Sequence, residues 1–139
     1  MTLEEANRII AEAFNEARKL GLKPLTAAVL DAGGQLVALQ REDQASNLRP
    51  MIAVAKAAGA LDLGVSSRKI GEMAAERPTF VAALGHLAPK GLVPAAGGVL
   101  VHRGDGCVIG AVGITGDTSD NDEHCALAGL VAAGLHEKV

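Results

Sequence analysis

The sequence predicts an α+β domain: an antiparallel sheet built from two hairpins, with helices packed on its faces. Three observations carry this reading. Two pairs of apolar, β-prone stretches are each joined by a short glycine-rich turn, Ala32-Gly33-Gly34 and Gly104-Asp105-Gly106, and hairpins pair antiparallel. Helix-periodic segments precede, separate and follow the hairpins, which is the order of an α+β chain. A length of 139 residues, 49 % hydrophobic and 21 % charged, suits a single domain spanning 1–139 with its own core.

The opening segment is an amphipathic helix, because Leu3, Ala6, Ile9, Ile10, Ala13, Phe14, Ala17 and Leu20 recur at helical spacing. Thr2 and Glu5 fit a capping box, and Gly21 suits the left-handed residue that ends a helix. Strands over 26–31 and 35–41 flank the first turn, where Gly33 and Gly34 are expected at positive φ. Asn47 is the expected cap of a helix running to about Leu63, with Pro50 in its first turn, where a missing N–H costs little. Met51, Val54, Ala55, Ala58 and Leu61 form its expected buried stripe; Ala53, Ala57 and Gly59 keep another side thin enough for a close neighbour. Ser66 or Ser67 caps a short helix to about Arg77, and Pro78 opens a helical turn with Phe80, Val81 and Leu84. The stretch 85–98 reads as a loop long enough to be functional. The second hairpin pairs 99–103 with 107–115. A last helix runs from Ser119–Asp120 to near Lys138, with Ser119 and Asp122, or Asp120 and Glu123, at its cap.

Composition excludes several classes of function. Thirteen basic against 16 acidic side chains give a formal charge of −3, so no basic surplus exists for nucleic acid or an anionic membrane surface. Two Phe, with no Tyr and no Trp, cannot build a base-stacking platform. Glu4, Glu5, Asn7 and Arg8 interrupt any secretory segment, and no apolar run approaches the roughly 18 residues of a membrane span, so a cytoplasmic protein is expected. Cys107 and Cys125 lie outside any CxxC and read as small core residues.

Candidate functional residues each have a plainer reading. Lys56 stands among Ala53, Val54, Ala55, Ala57 and Ala58; its stem suits an apolar surface, and its amine suits an anion facing a pocket. Asp117, Asp120, Asp122 and Glu123 crowd one helix start, where the dipole favours them, yet four carboxylates exceed what capping needs. His86 falls in the loop and His124 in the first turn of the last helix. Asp120 and His124 would share a face there, but no metal-ligand spacing appears and no metal is expected. His136 fits the dipole at a helix C-terminus. Arg41, Asp43, Arg49 and Arg77 stand at segment ends, where an arginine can hold a carboxylate.

Several of these pieces, in this order and spacing, resemble the GlcG/HbpS-like family, which includes the C-terminal domain of PduO-type proteins. They are the Thr2–Ala6 opening, Val29–Leu36, Ala53-x-x-Lys56-Ala57, Pro94 and Gly97-Gly98-Val99, Ile109–Gly116, and Asp122-Glu123 before Ala126-x-x-Gly129. The resemblance implies a profilin-like sheet, homo-oligomers and, in some members, haem. Carried over by position, it implies that Lys56, Gly97, Gly98, Asp122 and Glu123 border a ligand site. Ala45–Arg49 departs from the family's Gly/Ser-rich entry by placing Asn47, Leu48 and Arg49 there, which favours an anionic ligand.

A small-ligand-binding module is therefore expected, its ligand haem or a small organic acid. Arg49 and Lys56 would meet carboxylates, and His86 or His124 would serve as axial or polar ligand. On this reading, replacing Lys56 weakens binding without unfolding the domain. The alternative is a small enzyme acting on an organic acid, with Lys or Arg holding the carboxylate and Asp122, Glu123 or Asp43 moving a proton. A third reading is an accessory subunit that oligomerises through its alanine-rich helix.

Overall fold

The computed structural model describes residues 1–137. Five helices, α1 (Leu3–Leu20), α2 (Arg49–Leu63), α3 (Ser67–Glu76), α4 (Pro78–Leu87) and α5 (Ser119–Ala132), accompany four strands. The strands are β1 (Thr26–Asp31), β2 (Leu36–Arg41), β3 (Gly98–His102) and β4 (Val108–Thr115). They form one antiparallel sheet in the order β2-β1-β4-β3, so the two predicted hairpins join through β1 and β4.

Alternation along the strands divides the core into two layers. On one face Ala27, Val29, Val99, Val101, Val112 and Ile114 meet α1 and α5 through Ile9, Ile10, Ala13, Cys125 and Leu130. On the other, Leu30, Leu100 and Ala111 meet Ala57, Ala58 and Ala60 of α2. The side of α2 seated on the sheet is thus the thin one. Met51, expected in the buried stripe, is 70 % exposed, and Val54 and Leu61 are half-buried. The reason is distance: a Cβ on Gly113 would collide with Ala53 O and stand 2.9 Å from Ala57 N, so α2 lies backbone to backbone on β4.

Helix ends follow local chemistry. The Thr2–Glu5 capping box is present, Gly21 is left-handed at φ 66°, and Ser66 caps α3. Several expectations need correction. α2 starts behind Leu48, whose side chain caps nothing, and not behind Asn47. Thr118, accepting from Asn121 N, caps α5. That helix stops at Ala132 because Gly134, at φ 72°, lets Leu135 N bond Leu130 O at 2.9 Å; Lys138 lies outside the described residues. The turn at Pro78 extends into a full helix, so the connection to β3 shortens to 88–97. In the first hairpin only Gly34 takes a positive φ, since Asp31 Oδ1 accepts from both Gly33 N and Gln35 N and shapes the turn itself. Cys125 is in the core as expected, but Cys107 is exposed beside the second turn. No helix among the described residues is long and apolar enough to cross a membrane.

Candidate functional site

The sheet ends where β3 begins and β4 finishes, and here the structure gathers four of the predicted residues. Lys56, from α2 on one face, reaches Asp122, from the first turn of α5 on the other. Nζ donates to Ile114 O at 3.0 Å and lies 3.3 Å from Asp122 Oδ2. Side-chain exposure is 3 % for Lys56 and 2 % for Asp122. Asp122 Oδ1 accepts from Asp117 N at 2.9 Å. Burial pulls the ammonium of Lys56 below its ordinary pKa and pushes the carboxyl of Asp122 above its own. Gly97 and Gly98 give the ion pair its room. A Cβ on Gly97 would stand 2.8 Å from Nζ, and one on Gly98 would strike Lys56 O. Ser67, buried beside them, accepts from Gly98 N at 2.6 Å.

The other expected site residues are elsewhere. Glu123 is held by Arg68 Nε at 2.9 Å, and the same guanidinium pairs with Asp120. His124 faces Glu16 of α1 at 2.9 Å and does not join Asp120. His86 is exposed on α4. His136 ends no helix; it bridges to His102, and the two rings stack with centroids 6.0 Å apart. Asp122 and Glu123 therefore both spend their carboxylates on cations of the fold, and Asp43 is exposed at the surface.

Asp117 shows what the acidic cluster does. Its oxygens accept from Lys23 N, Thr118 N and Asn121 Nδ2, which with the side-chain contact to Asn121 foremost hold its pKa down at about 2. A carboxyl depressed in the folded state stabilises above its unfolded pKa and loses that contribution as pH falls through the folded one. Stability should therefore fall between pH 3.8 and about 2 more steeply in the wild type than in Asp117→Asn, read as urea midpoints across that range. Parallel profiles would refute the assignment.

Arg49 opens α2. Its Nη1 donates to Thr115 Oγ1 at 2.7 Å and its Nε to Ser46 Oγ at 3.2 Å. Beside this helix end runs an apolar groove of about 530 Å³, bounded by Leu39 of β2, Leu48, Pro50, Met51 and Ala55, and by Leu92 of the 88–97 connection. Lys90 stands at its margin and donates to Gly34 O. Sequence reasoning missed this groove because Leu39 and Leu92 join it only through the fold. Among the described residues no cluster of three metal-ligating side chains occurs.

The chain matches the family model of the haem-degrading HbpS-like proteins over residues 1–131. It belongs to the HbpS-like family. Solved structures with the same architecture include HbpS of Streptomyces reticuli as a double mutant, with TM-score 0.79 and 28 % identity over 93 % of this chain and 84 % of that one. The Klebsiella pneumoniae protein ORFY gives TM-score 0.85 and 25 % identity over 96 % and 90 %. The haem complex of PduOC superposes at TM-score 0.88 and 22 % identity over 100 % and 99 %, a likeness of fold. No curated protein matches the chain.

Proposed function

We propose that the protein binds a small ligand in the apolar groove between α2, β2 and the 88–97 connection, and that this ligand is haem. The observation that carries the reading is the groove itself, whose volume and apolar lining suit a flat ring. Family membership and the haem-bound PduOC relative support it. The lining fits haem in three respects: Leu39, Leu48 and Ala55 offer apolar contact, Lys90 offers a cation for a propionate, and Met51 offers a thioether. Haem would bring its own iron chemistry; Leu39, Leu48, Met51, Ala55 and Lys90 would hold the ring.

A haemin titration tests this. A saturable, sharpened Soret band is expected, weakened at least about tenfold in Met51→Glu, which places a carboxylate in the groove at an exposed and tolerant position. His86→Ala and His124→Ala should leave the band in place. Its loss in His124→Ala would move the site to the α1–α5 face and overturn the groove.

A second reading, a small organic acid, is favoured by one observation: Arg49 is half-buried and held by two hydroxyls. For the homo-oligomer, Leu87, 78 % exposed, and Phe80 of α4 supply apolar contact surface, which sedimentation would report as a mass above 14.1 kDa.

A further inference from the structure

We infer that the head of α2, with Arg49, Thr115 and Thr26, is a binding site for the carboxylate of a small monocarboxylic acid. This rests on the organic-acid reading above and is independent of haem.

Arg49 carries a charge that no carboxylate among the described residues meets. Among the described residues Arg18, Arg68 and Arg103 each pair with a carboxylate, while Arg8, Arg41, Arg49 and Arg77 pair with none; of these four only Arg49 is half-buried, so its charge is the one least served by solvent. Its Nε and Nη1 go to Ser46 and Thr115, which leaves Nη2 to donate. The acidic side chain nearest Thr115 along the chain, Asp117, is spent on Lys23 N, Thr118 N and Asn121. The 15-residue helix behind Arg49 adds its own positive end. Leu48 provides no side-chain acceptor there, and no acidic residue stands in the first turn.

The second observation is independent of the helix. Thr26 is fully buried, and its Oγ1 has no hydrogen-bond partner among the described residues. Native folds seldom carry such a group without a use for it. Thr26 is the register partner of Thr115 across β1 and β4. By strand parity both share the face of Leu30, Ala111 and Gly113, the face that meets α2. Opposed residues of an antiparallel pair hold their Cβ atoms about 4.5–5.5 Å apart, so the orphan hydroxyl stands beside the one that already receives Arg49. Thr115, accepting from Arg49, retains its own O–H to donate.

Charge decides the class of ligand. Arg41, the register partner of Thr26 on β2, is exposed and its charge is screened by solvent, so one half-buried guanidinium and about half a unit of helix charge balance a monoanion and leave a dianion under-compensated. Lys56, two turns along α2, adds nothing because Asp122 neutralises it. The planar guanidinium matches a carboxylate. Ser46 is exposed and Arg49 half-buried, so the acid enters from the head of the helix.

Amide chemical shifts during titration with butyrate, n-butanol and inorganic phosphate test the site. Butyrate should shift Thr26, Thr115 and Met51 saturably, and n-butanol should not. Arg49→Gln should weaken butyrate about tenfold or more, and Thr26→Val severalfold. Thr26→Val should unfold at the wild-type urea concentration or above it, because its hydroxyl serves the ligand and not the fold. A clear fall in that midpoint, butyrate shifts unchanged in Arg49→Gln, or shifts reproduced by n-butanol would overturn the site. Phosphate binding more tightly than butyrate would overturn the monocarboxylate assignment. A failed haemin titration with butyrate binding intact removes the groove reading alone, and the converse removes this one alone.

Discussion

Replacing Asp122 by alanine is expected to cost the fold about 3–5 kcal/mol, the usual penalty for stranding one partner of a buried ion pair. The size follows from what remains. Lys56 Nζ would keep Ile114 O at 3.0 Å but lose its counter-charge in a site where the side chain is 3 % exposed. Asp117 N would lose its acceptor at the same time. Against a total stability of roughly 5–15 kcal/mol this is a large fraction. Burial acts against both charged forms, on Lys56 downwards and on Asp122 upwards in pKa, so neither partner is comfortable there without the other. The double variant Lys56→Met, Asp122→Leu should recover more than half of the loss, since it leaves no stranded charge. Urea unfolding of the three proteins decides it. A single-variant cost below about 1 kcal/mol would mean that water or a shifted side chain compensates Lys56. The same geometry changes the expectation drawn from sequence, in which Lys56 faced a ligand and could be replaced without harm to the fold. A lysine that joins helices on opposite faces of the sheet acts first on stability, and any loss of ligand affinity in Lys56→Met must be measured where the variant is still folded.

What the sequence conveyed and what it withheld divide by the range of the chemistry involved. The hairpin turns, the Thr2–Glu5 box and the Ser66 cap were readable because each is settled within about four residues. The sequence shows α4 only as a single turn at Pro78, because the helix is apolar nearly all round and still carries Phe80 and Leu87 in solvent, so no period marks a buried face. On α2 the rule that large apolar residues go inside puts Met51, Val54 and Leu61 in one buried stripe with Ala55 and Ala58; only the two alanines are buried, because a seat of glycines outweighs size. Lys56 could be singled out for its apolar neighbours, but its partner lies 66 residues away and becomes visible only once two helices stand on opposite faces of one sheet. Arg49 is marked in the sequence by its place at a segment end. Nothing local marks Thr26, whose interest comes wholly from its register with Thr115.

That glycine seat makes Gly113→Ala the second large expected effect. Gly113 of β4 is the register partner of Gly98 of β3, so two neighbouring strands present a bare strip to α2. Lys56 O closes over Gly98, and Ala53 O with Ala57 N over Gly113. An added methyl would meet backbone atoms on α2, and no change of rotamer can move those aside. The helix must lift or tilt. Such overpacking typically costs 1–3 kcal/mol, and a backbone collision at a helix with few alternative seats belongs at or above about 3 kcal/mol. Lifting α2 also draws Arg49 from Thr115 and Lys56 from Asp122, so the loss should exceed steric strain alone and should come with weaker butyrate and haemin binding at temperatures where the variant is folded. Gly104→Ala is the control. Its Cβ meets nothing within 4 Å, and its cost should stay within about 0.5 kcal/mol. If Gly113→Ala matched that control in urea unfolding, α2 would not need its close seat, and the small residues along Ala53, Ala57 and Ala60 would require another explanation.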